Sequence, residues 1–300
     1  MSKTVYSFLK NSLSSSDSER IKKLLDDISD YHYKKGVIAN ELLNFSCGKI
    51  ANKKWHDTAH KLLECGTFIE YDSTDHRITN ANFCKQRCCP LCQKRRSLEM
   101  YAKVKSNTEQ MFGYNLLHIV LTSENCYGDE LSSRISQMIV ASRQLFNNTR
   151  IKQAFKGVAR FIEVTYNELQ DNFHPHFHCL VMVKPSYFKS RYYIKNEALS
   201  ELWSKYMREP CFTHISRADS NAVAEVAKYC VKPFELERID KNIEAFTIIF
   251  EALRSRRLVQ FFGDFKKFEK LFDESDEERD FEIINPIYKF SYTNKGWLLV

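Results

Sequence analysis

The stretch that decides the fold is Phe173-His174-Pro175-His176-Phe177-His178-Cys179-Leu180-Val181. Because side chains of a β-strand alternate between its two faces, His176 and His178 project to the same side. The residues between and after them, Phe177, Cys179 and Val181, form a continuous apolar face. The pattern predicts a strand from residue 176 to 183, preceded by a turn at 170–175, that presents two imidazoles away from the core.

A preceding strand, predicted near residues 160–166, supplies a carboxylate to the same site. If the turn between the strands lies near Gln170, Glu163 lies opposite the histidine pair. One carboxylate and two imidazoles suit Mg²⁺ or Mn²⁺, with open positions for phosphate oxygens. We therefore expect Glu163, His176 and His178 to bind a catalytic divalent metal. His174 shares their face and is the alternative third ligand; otherwise it contacts DNA or supports the ligands.

A helix predicted from Asn221 to Lys232 carries a candidate nucleophile. Its buried stripe repeats at positions i, i+3, i+4 and i+7, namely Val223, Val226, Ala227 and Cys230. At about 100° per residue, Glu225, Tyr229 and Lys232 cluster on the other side. A phenolate can attack a phosphodiester when cations stabilise the developing charge, which is the role expected of Lys232. Glu225 could activate a water molecule instead.

These two motifs together resemble the HUH endonucleases. Two histidines that flank a bulky apolar residue match 176–178, and the tyrosine signature of that superfamily matches residues 226–232. With the cysteine pattern at 84–92 and the Glu-x3-Tyr spacing, the chain resembles the one-tyrosine rolling-circle initiators of small Gram-positive plasmids over roughly residues 60–270. Residues 117–122 resemble the family's first motif, a structural apolar strand ending in threonine, although His118 replaces an apolar residue.

The resemblance implies a function and roles for the residues. Tyr229 nicks the leading-strand origin and stays joined to the 5′ end, and Glu225 promotes the hydrolysis that terminates replication. The partners implied are the double-strand origin, the single-stranded nick site and a host helicase with the replication machinery; a homodimer is left open. The alternatives are an HUH transposase or relaxase, which Glu225 disfavours, and a non-catalytic zinc-dependent DNA-binding regulator.

The cysteines predict a second, structural metal site. Four of the ten cysteines lie within residues 84–92, a density that indicates metal ligation in a large chain. A zinc ion that stabilises a fold needs ligands from separated segments, so the expected set is Cys65, Cys84, Cys89 and Cys92. Cys88 could substitute for Cys65. The basic residues that follow are expected to contact DNA phosphate: Lys94, Arg95 and Arg96.

The composition argues against a membrane-spanning or secreted protein and favours a polyanionic partner only weakly. The net charge is +7 although the C-terminal part carries an acidic run within 273–280. No apolar run is long enough for a membrane span and the N-terminus lacks a signal-peptide core, so we expect a bacterial cytoplasmic protein.

The fold class expected is α+β: an antiparallel nuclease sheet with helices packed on one face, preceded by a zinc-binding region. The predicted domains are a helical and cysteine-rich region at 1–110, the endonuclease domain at 111–235 and a helical C-terminal extension with the acidic run at 236–300.

Overall fold

The computed structural model of the chain describes residues 15–47, 52–72, 77–96, 113–218, 242–266, 287–291 and 296–299. Contacts divide the chain into two units. Its named elements, in chain order, are α1 (Ser15–Ser46), α2 (Lys53–Glu64), β1 (Phe68–Asp72), β2 (Arg77–Ala81), β3 (Asn115–Thr122), α3 (Leu131–Asn147), α4 (Thr149–Ala154), β4 (Gly157–Asn167), β5 (Asn172–Val183), α5 (Asn196–Met207), β6 (Thr213–Arg217), α6 (Ile243–Leu253), β7 (Val259–Gly263), β8 (Ile287–Ser291) and β9 (Gly296–Leu299). Within these ranges no helix combines the length and the apolar character that crossing a membrane requires.

The first unit combines two helices with a four-stranded sheet. Helix α1 packs against α2 through side chains such as Ile38, Leu42 and Leu62, all of which are buried. Their spacing along each helix gives one apolar face, which is the condition for two helices to pack side by side. The sheet has the strand order β2-β1-β8-β9, and neighbouring strands are antiparallel.

The second unit contains a five-stranded antiparallel sheet in the order β6-β3-β5-β4-β7. Strands β4 and β5 form a hairpin that closes at Asn167 opposite Asn172. Together with the helices this confirms the predicted α+β class. The hairpin register matters for function, because it determines which side chains of β4 lie opposite the histidines of β5.

One face of this sheet is covered by helices. Helix α3 buries a stripe that includes Ile135 and Met138, and α5 buries Leu199 and Trp203. Phe177 of β5 is fully buried on this face, where its ring lies 6.5 Å from that of Trp203. The bulky residue between the two histidines therefore anchors the strand to the helices and turns both imidazoles to the opposite face.

The opposite face holds an apolar cluster at one end of the sheet. The cluster consists of buried residues from β4, β5, β7 and the segment after β7: Ala159, Phe161, Leu180, Met182, Phe261 and Phe265. Phe161 pairs with His178 in the register of β4 and β5. The cluster therefore forms an apolar wall beside the histidine pair, which lies further along the same face.

Strand β5 begins earlier than the sequence predicts, because Pro175 lies inside it and not in the turn. A proline lacks the N–H that a central strand normally donates. The backbone N–H and C=O of Phe173 both hydrogen-bond to Cys126. Because backbone groups two residues apart in a strand point to the same edge, the backbone nitrogen of Pro175 points to that edge of β5 as well. Strand β3 has ended there, since its last pair is Thr122 with His176. The missing donor consequently costs no ladder hydrogen bond.

The C-terminal range also differs from the helical extension predicted for 236–300. Its described residues contain one helix, α6, and three strands. Strand β7 pairs with β4 in the second unit, whereas β8 pairs with β1 in the first. At the end of β7, Gly263 has a φ of +58°, and a Cβ there would lie 2.2 Å from the carbonyl oxygen of Lys156. Local periodicity misses these strands because their partners are distant in sequence.

Candidate metal centres

The hairpin of β4 and β5 brings one carboxylate to two imidazoles. Glu163 pairs with His176 in the strand register, and its Oε2 atom lies 2.7 Å from the Nε2 atoms of both His176 and His178. Among the described residues, the ligand atoms of these three side chains form a group within 4.8 Å of one another. All three side chains are largely buried, with exposed fractions of 17% for Glu163, 11% for His176 and 9% for His178.

A hydrogen bond to the backbone determines which ring nitrogen of His176 carries the proton, and it leaves the other nitrogen able to bind a cation. Its Nδ1 lies 3.1 Å from the carbonyl oxygen of His174, which can only accept, so Nδ1 carries the proton. In the neutral ring Nε2 then carries a lone pair that faces the Glu163 carboxylate. Two acceptors at 2.7 Å repel each other unless a proton or a metal ion lies between them. The donor set therefore fits a divalent cation.

The charge of Glu163 is favoured in this cluster. Burial alone would raise the pKa of its carboxyl, but the interactions with His176 and His178 outweigh burial and lower the pKa from 4.5 to about 2. The carboxyl is therefore ionised at neutral pH, which is the form that binds a metal. Ligands 2.1 Å from a six-coordinate ion are about 3 Å apart, close to the observed separations.

His174 lies beside the three residues but outside their group. Its ring centroid is 5.3 Å from that of His176, and the strand pairs His174 with Thr165. Burial and then the charge of His176 lower the pKa of His174. The structure thus brings Glu163 to the two Nε2 atoms, whereas His174 stands at the rim of the cluster.

A histidine that sequence reasoning treated as structural contacts this site. His118 of β3 has its Nε2 atom 3.0 Å from Nδ1 of His178, and the two rings stack with centroids 5.2 Å apart. The alternation of β3 puts His118 on the site face, since Val120 pairs with His178. A polar residue in an otherwise apolar strand was the available signal, but its meaning depends on the pairing of β3 with β5.

The cysteine cluster in the first unit has the dimensions of a tetrahedral metal site. The Sγ atoms of Cys65 and Cys92 are 3.5 Å apart, those of Cys65 and Cys89 are 3.5 Å apart, and those of Cys84 and Cys92 are 3.7 Å apart. Four sulfurs at 2.3 Å from a zinc ion would be separated by about 3.8 Å. These separations are far longer than a disulfide bond, and all four cysteines are free. The set is compatible with zinc.

The surroundings of the cysteine cluster tie three segments together. The backbone N–H of Cys84 donates to Sγ of Cys65, the C-cap residue of α2. Lys35 of α1 is fully buried and donates from Nζ to the carbonyl oxygens of Leu63 and Cys65. Burial lowers the pKa of Lys35 to about 8, although the nearby thiol groups oppose that shift. Cys88 is buried but lies outside the group of four.

The structure describes some of the remaining predicted site residues and not others. Lys94 and Arg95 are exposed and Arg96 is half-buried, in the helical residues that follow Cys92. Tyr229, Glu225 and Lys232 lie outside the described residues.

Similarity to known proteins identifies the family of this chain. The family model described as Replication protein matches residues 75–291. The chain belongs to this family.

Individual relatives agree with the family assignment. The chain is 29% identical to a Bacillus sp protein named Protein rep, over 77% of this chain and 85% of that protein. It is 29% identical to Protein rep of Bacillus amyloliquefaciens, over 79% and 83%, and 28% identical to Protein rep of Streptococcus pneumoniae, over 70% of each. No solved structure gives a significant match.

Proposed function

We propose that this protein initiates the rolling-circle replication of a plasmid by cutting one DNA strand at the origin and remaining bound to its 5′ end through Tyr229. The observation that carries the proposal is the contact of one Glu163 oxygen with both Nε2 atoms of His176 and His178, each at 2.7 Å. Membership of the Replication protein family and the names of the relatives support the same reading.

Glu163, His176 and His178 would hold Mg²⁺ or Mn²⁺. The bound ion would supply Lewis-acid polarisation of the scissile phosphate. With three protein ligands, such an ion would keep coordination positions open for phosphate oxygens. The apolar wall that includes Phe161 limits water on one side of the cluster, and this strengthens its electrostatic interactions with a bound phosphate.

Tyr229 would act as the nucleophile. Its Oη loses a proton to the solvent and forms a bond to the scissile phosphorus, the bond from phosphorus to the 3′ oxygen breaks, and the 3′ oxygen takes a proton from the solvent to become the primer hydroxyl. One phosphodiester replaces another, so no external energy source is needed. Lys232, one turn along the predicted helix, stabilises the phenolate. At termination Glu225 activates a water molecule for attack on a phosphodiester.

The cysteine site would contribute to structure and origin binding. With four protein ligands, a zinc ion there has no open position and stabilises the first unit. Lys94, Arg95, Arg96 and His174 are the proposed DNA contacts, the first three through phosphate. The proposed partners are origin DNA and a host helicase.

The test is a covalent adduct on a denaturing gel. The full chain is incubated with a labelled single-stranded oligonucleotide that carries its plasmid's nick site, with and without Mn²⁺. We expect a shifted band that requires the metal and is absent in Tyr229→Phe. Tyr193→Phe is the matched control, because Tyr193 is a partly exposed tyrosine whose ring contacts with Tyr187 and Phe188 a phenylalanine retains.

The outcomes separate the candidates. An adduct that persists in Tyr229→Phe would assign the nucleophile to another residue. Origin binding that needs no Mn²⁺, without any adduct, would support the zinc-dependent regulator instead.

A further inference from the structure

His178 is held from the side opposite to Glu163 by a second imidazole. His118 pairs with Leu180 across β3 and β5, and so stands diagonally to His178 on the same face. Nε2 of His118 is 3.0 Å from Nδ1 of His178. The two rings are nearly parallel, with an interplanar angle of 11°. This contact fixes both the rotation of the His178 ring and the partner of its second nitrogen.

We propose that His118 is a positioning residue that directs the Nε2 lone pair of His178 to the divalent cation of the Glu163 cluster. The inference rests on the proposed function, because it requires that this cluster binds a metal. An imidazole that ligates through Nε2 must carry its proton on Nδ1, and that proton needs an acceptor. His176 has the carbonyl oxygen of His174 as its acceptor. Nε2 of His118 takes the corresponding place for His178.

A histidine has two properties that suit this position. It accepts a hydrogen bond without adding a second negative charge, so it does not compete with Glu163 for the cation. It can also donate from the same nitrogen after a change of tautomer. When no metal is bound, His178 can donate from Nε2 to Glu163 and accept at Nδ1 from His118. The ring then keeps one orientation in both states, and little reorganisation accompanies metal binding.

Ring packing alone is the competing explanation, and substitutions separate the two. His118→Phe keeps an aromatic ring against His178 but removes the acceptor. His118→Gln removes the ring but retains an acceptor oxygen. His214→Phe is the matched control: His214 is exposed on the neighbouring strand β6, and its register partner Val120 is also the partner of His178.

The measurement is Mn²⁺ affinity, followed by electron paramagnetic resonance of free Mn²⁺ with the zinc-loaded full chain. Loss of a hydrogen-bond partner of a ligating histidine typically weakens metal binding by about 10- to 100-fold. We expect a loss in this range for His118→Phe, a smaller loss for His118→Gln and no change for His214→Phe. Mn²⁺ affinity of His118→Phe within twofold of the unchanged protein would overturn the inference.

Two further controls keep the inference separate from the proposed function. Glu163→Ala identifies binding at the cluster; if it leaves Mn²⁺ binding unaltered, both the proposed metal site and the role of His118 fail. If His118→Phe does not fold, the decisive measurement is the ¹⁵N chemical shift of the His178 ring in the unchanged protein with Mg²⁺. Protonated Nδ1 and unprotonated Nε2 are expected, and the reverse assignment would refute the proposal.

Discussion

Replacing His32 by glutamine is expected to remove an acid-sensitive step in the stability of the first unit. His32 is buried in α1, where its Nε2 lies 3.0 Å from the carbonyl oxygen of Gly66. Burial and then the charge of Lys35 lower its pKa from 6.5 to about 3, in spite of the hydrogen bond to Gly66. A glutamine side-chain amide can donate to the same carbonyl oxygen but does not titrate.

The sign and size follow from the two pKa values. Between pH 6.5 and about 3 the unfolded chain binds a proton that the folded chain excludes, so the free energy of unfolding falls as the pH falls through this window. From pH 7 to pH 5 the loss is about 2 kcal/mol, at 1.36 kcal/mol for each pH unit below 6.5. Because His32 is only 2% exposed, screening by the solvent reduces this loss of unfolding free energy little.

The assay is urea unfolding followed by circular dichroism at 222 nm, to which the long helix α1 contributes strongly. Unchanged protein and His32→Gln are compared at pH 7 and pH 5, because subtracting the two pH dependences cancels the other titrating groups and any weakening of the cysteine site. We expect the unchanged protein to lose about 2 kcal/mol more than the variant. The same pH dependence in both proteins, within about 0.5 kcal/mol, would refute the burial argument.

Five other substitutions have definite expected outcomes. Glu163→Ala should abolish the stabilisation by Mn²⁺, which for the unchanged protein is about 2.7 kcal/mol at 100 times the dissociation constant and is measured by urea unfolding. Cys89→Ser should lose the bound zinc measured by elemental analysis, whereas Cys88→Ser should keep it; loss in both would put Cys88 among the ligands. Phe177→Ala should cost about 3–5 kcal/mol of unfolding free energy because the side chain is fully buried. Arg160→Met should raise the free energy of unfolding by about 1 kcal/mol, because burial disfavours the charged guanidinium and lowers its pKa to about 10. The serine that Arg160 contacts keeps its own hydrogen bond to a backbone carbonyl. If the variant instead loses more than about 1 kcal/mol, the contacts of the guanidinium outweigh the cost of its burial.

The arrangement of the candidate metal ligands could be predicted from the sequence to the extent that it depends on strand alternation and one turn. Alternation alone put His176 and His178 on one face and Phe177 on the other. The position of Glu163 needed only the hairpin register, and a turn near Gln170 gives nearly the observed pairing of Asn167 with Asn172. Both inferences are local, because the two strands are consecutive in the chain.

The neighbours of the two candidate metal sites depend on pairing between distant segments and could not be predicted from the sequence. His118 reaches His178 only because β3 lies beside β5, 60 residues apart in sequence. Lys35 reaches Cys65 from a helix 30 residues upstream. Strands β7 and β8 have short, aromatic or mixed sequences whose periodicity does not distinguish them from helix ends. In each case tertiary contacts, and not local pattern, decide the outcome.

The position of β7 has a consequence for the integrity of the sheet. Residues 157–161 of β4 pair with β5 on one side and with β7 on the other. A chain that ended before Val259 would expose the unpaired backbone N–H and C=O groups of β4 along that side. Exposed strand edges of this kind add strands from other copies and lead to aggregation. Pairing with β7 therefore protects this edge of β4 from self-association, and a truncation before Val259 would cause aggregation before it altered the candidate metal ligands.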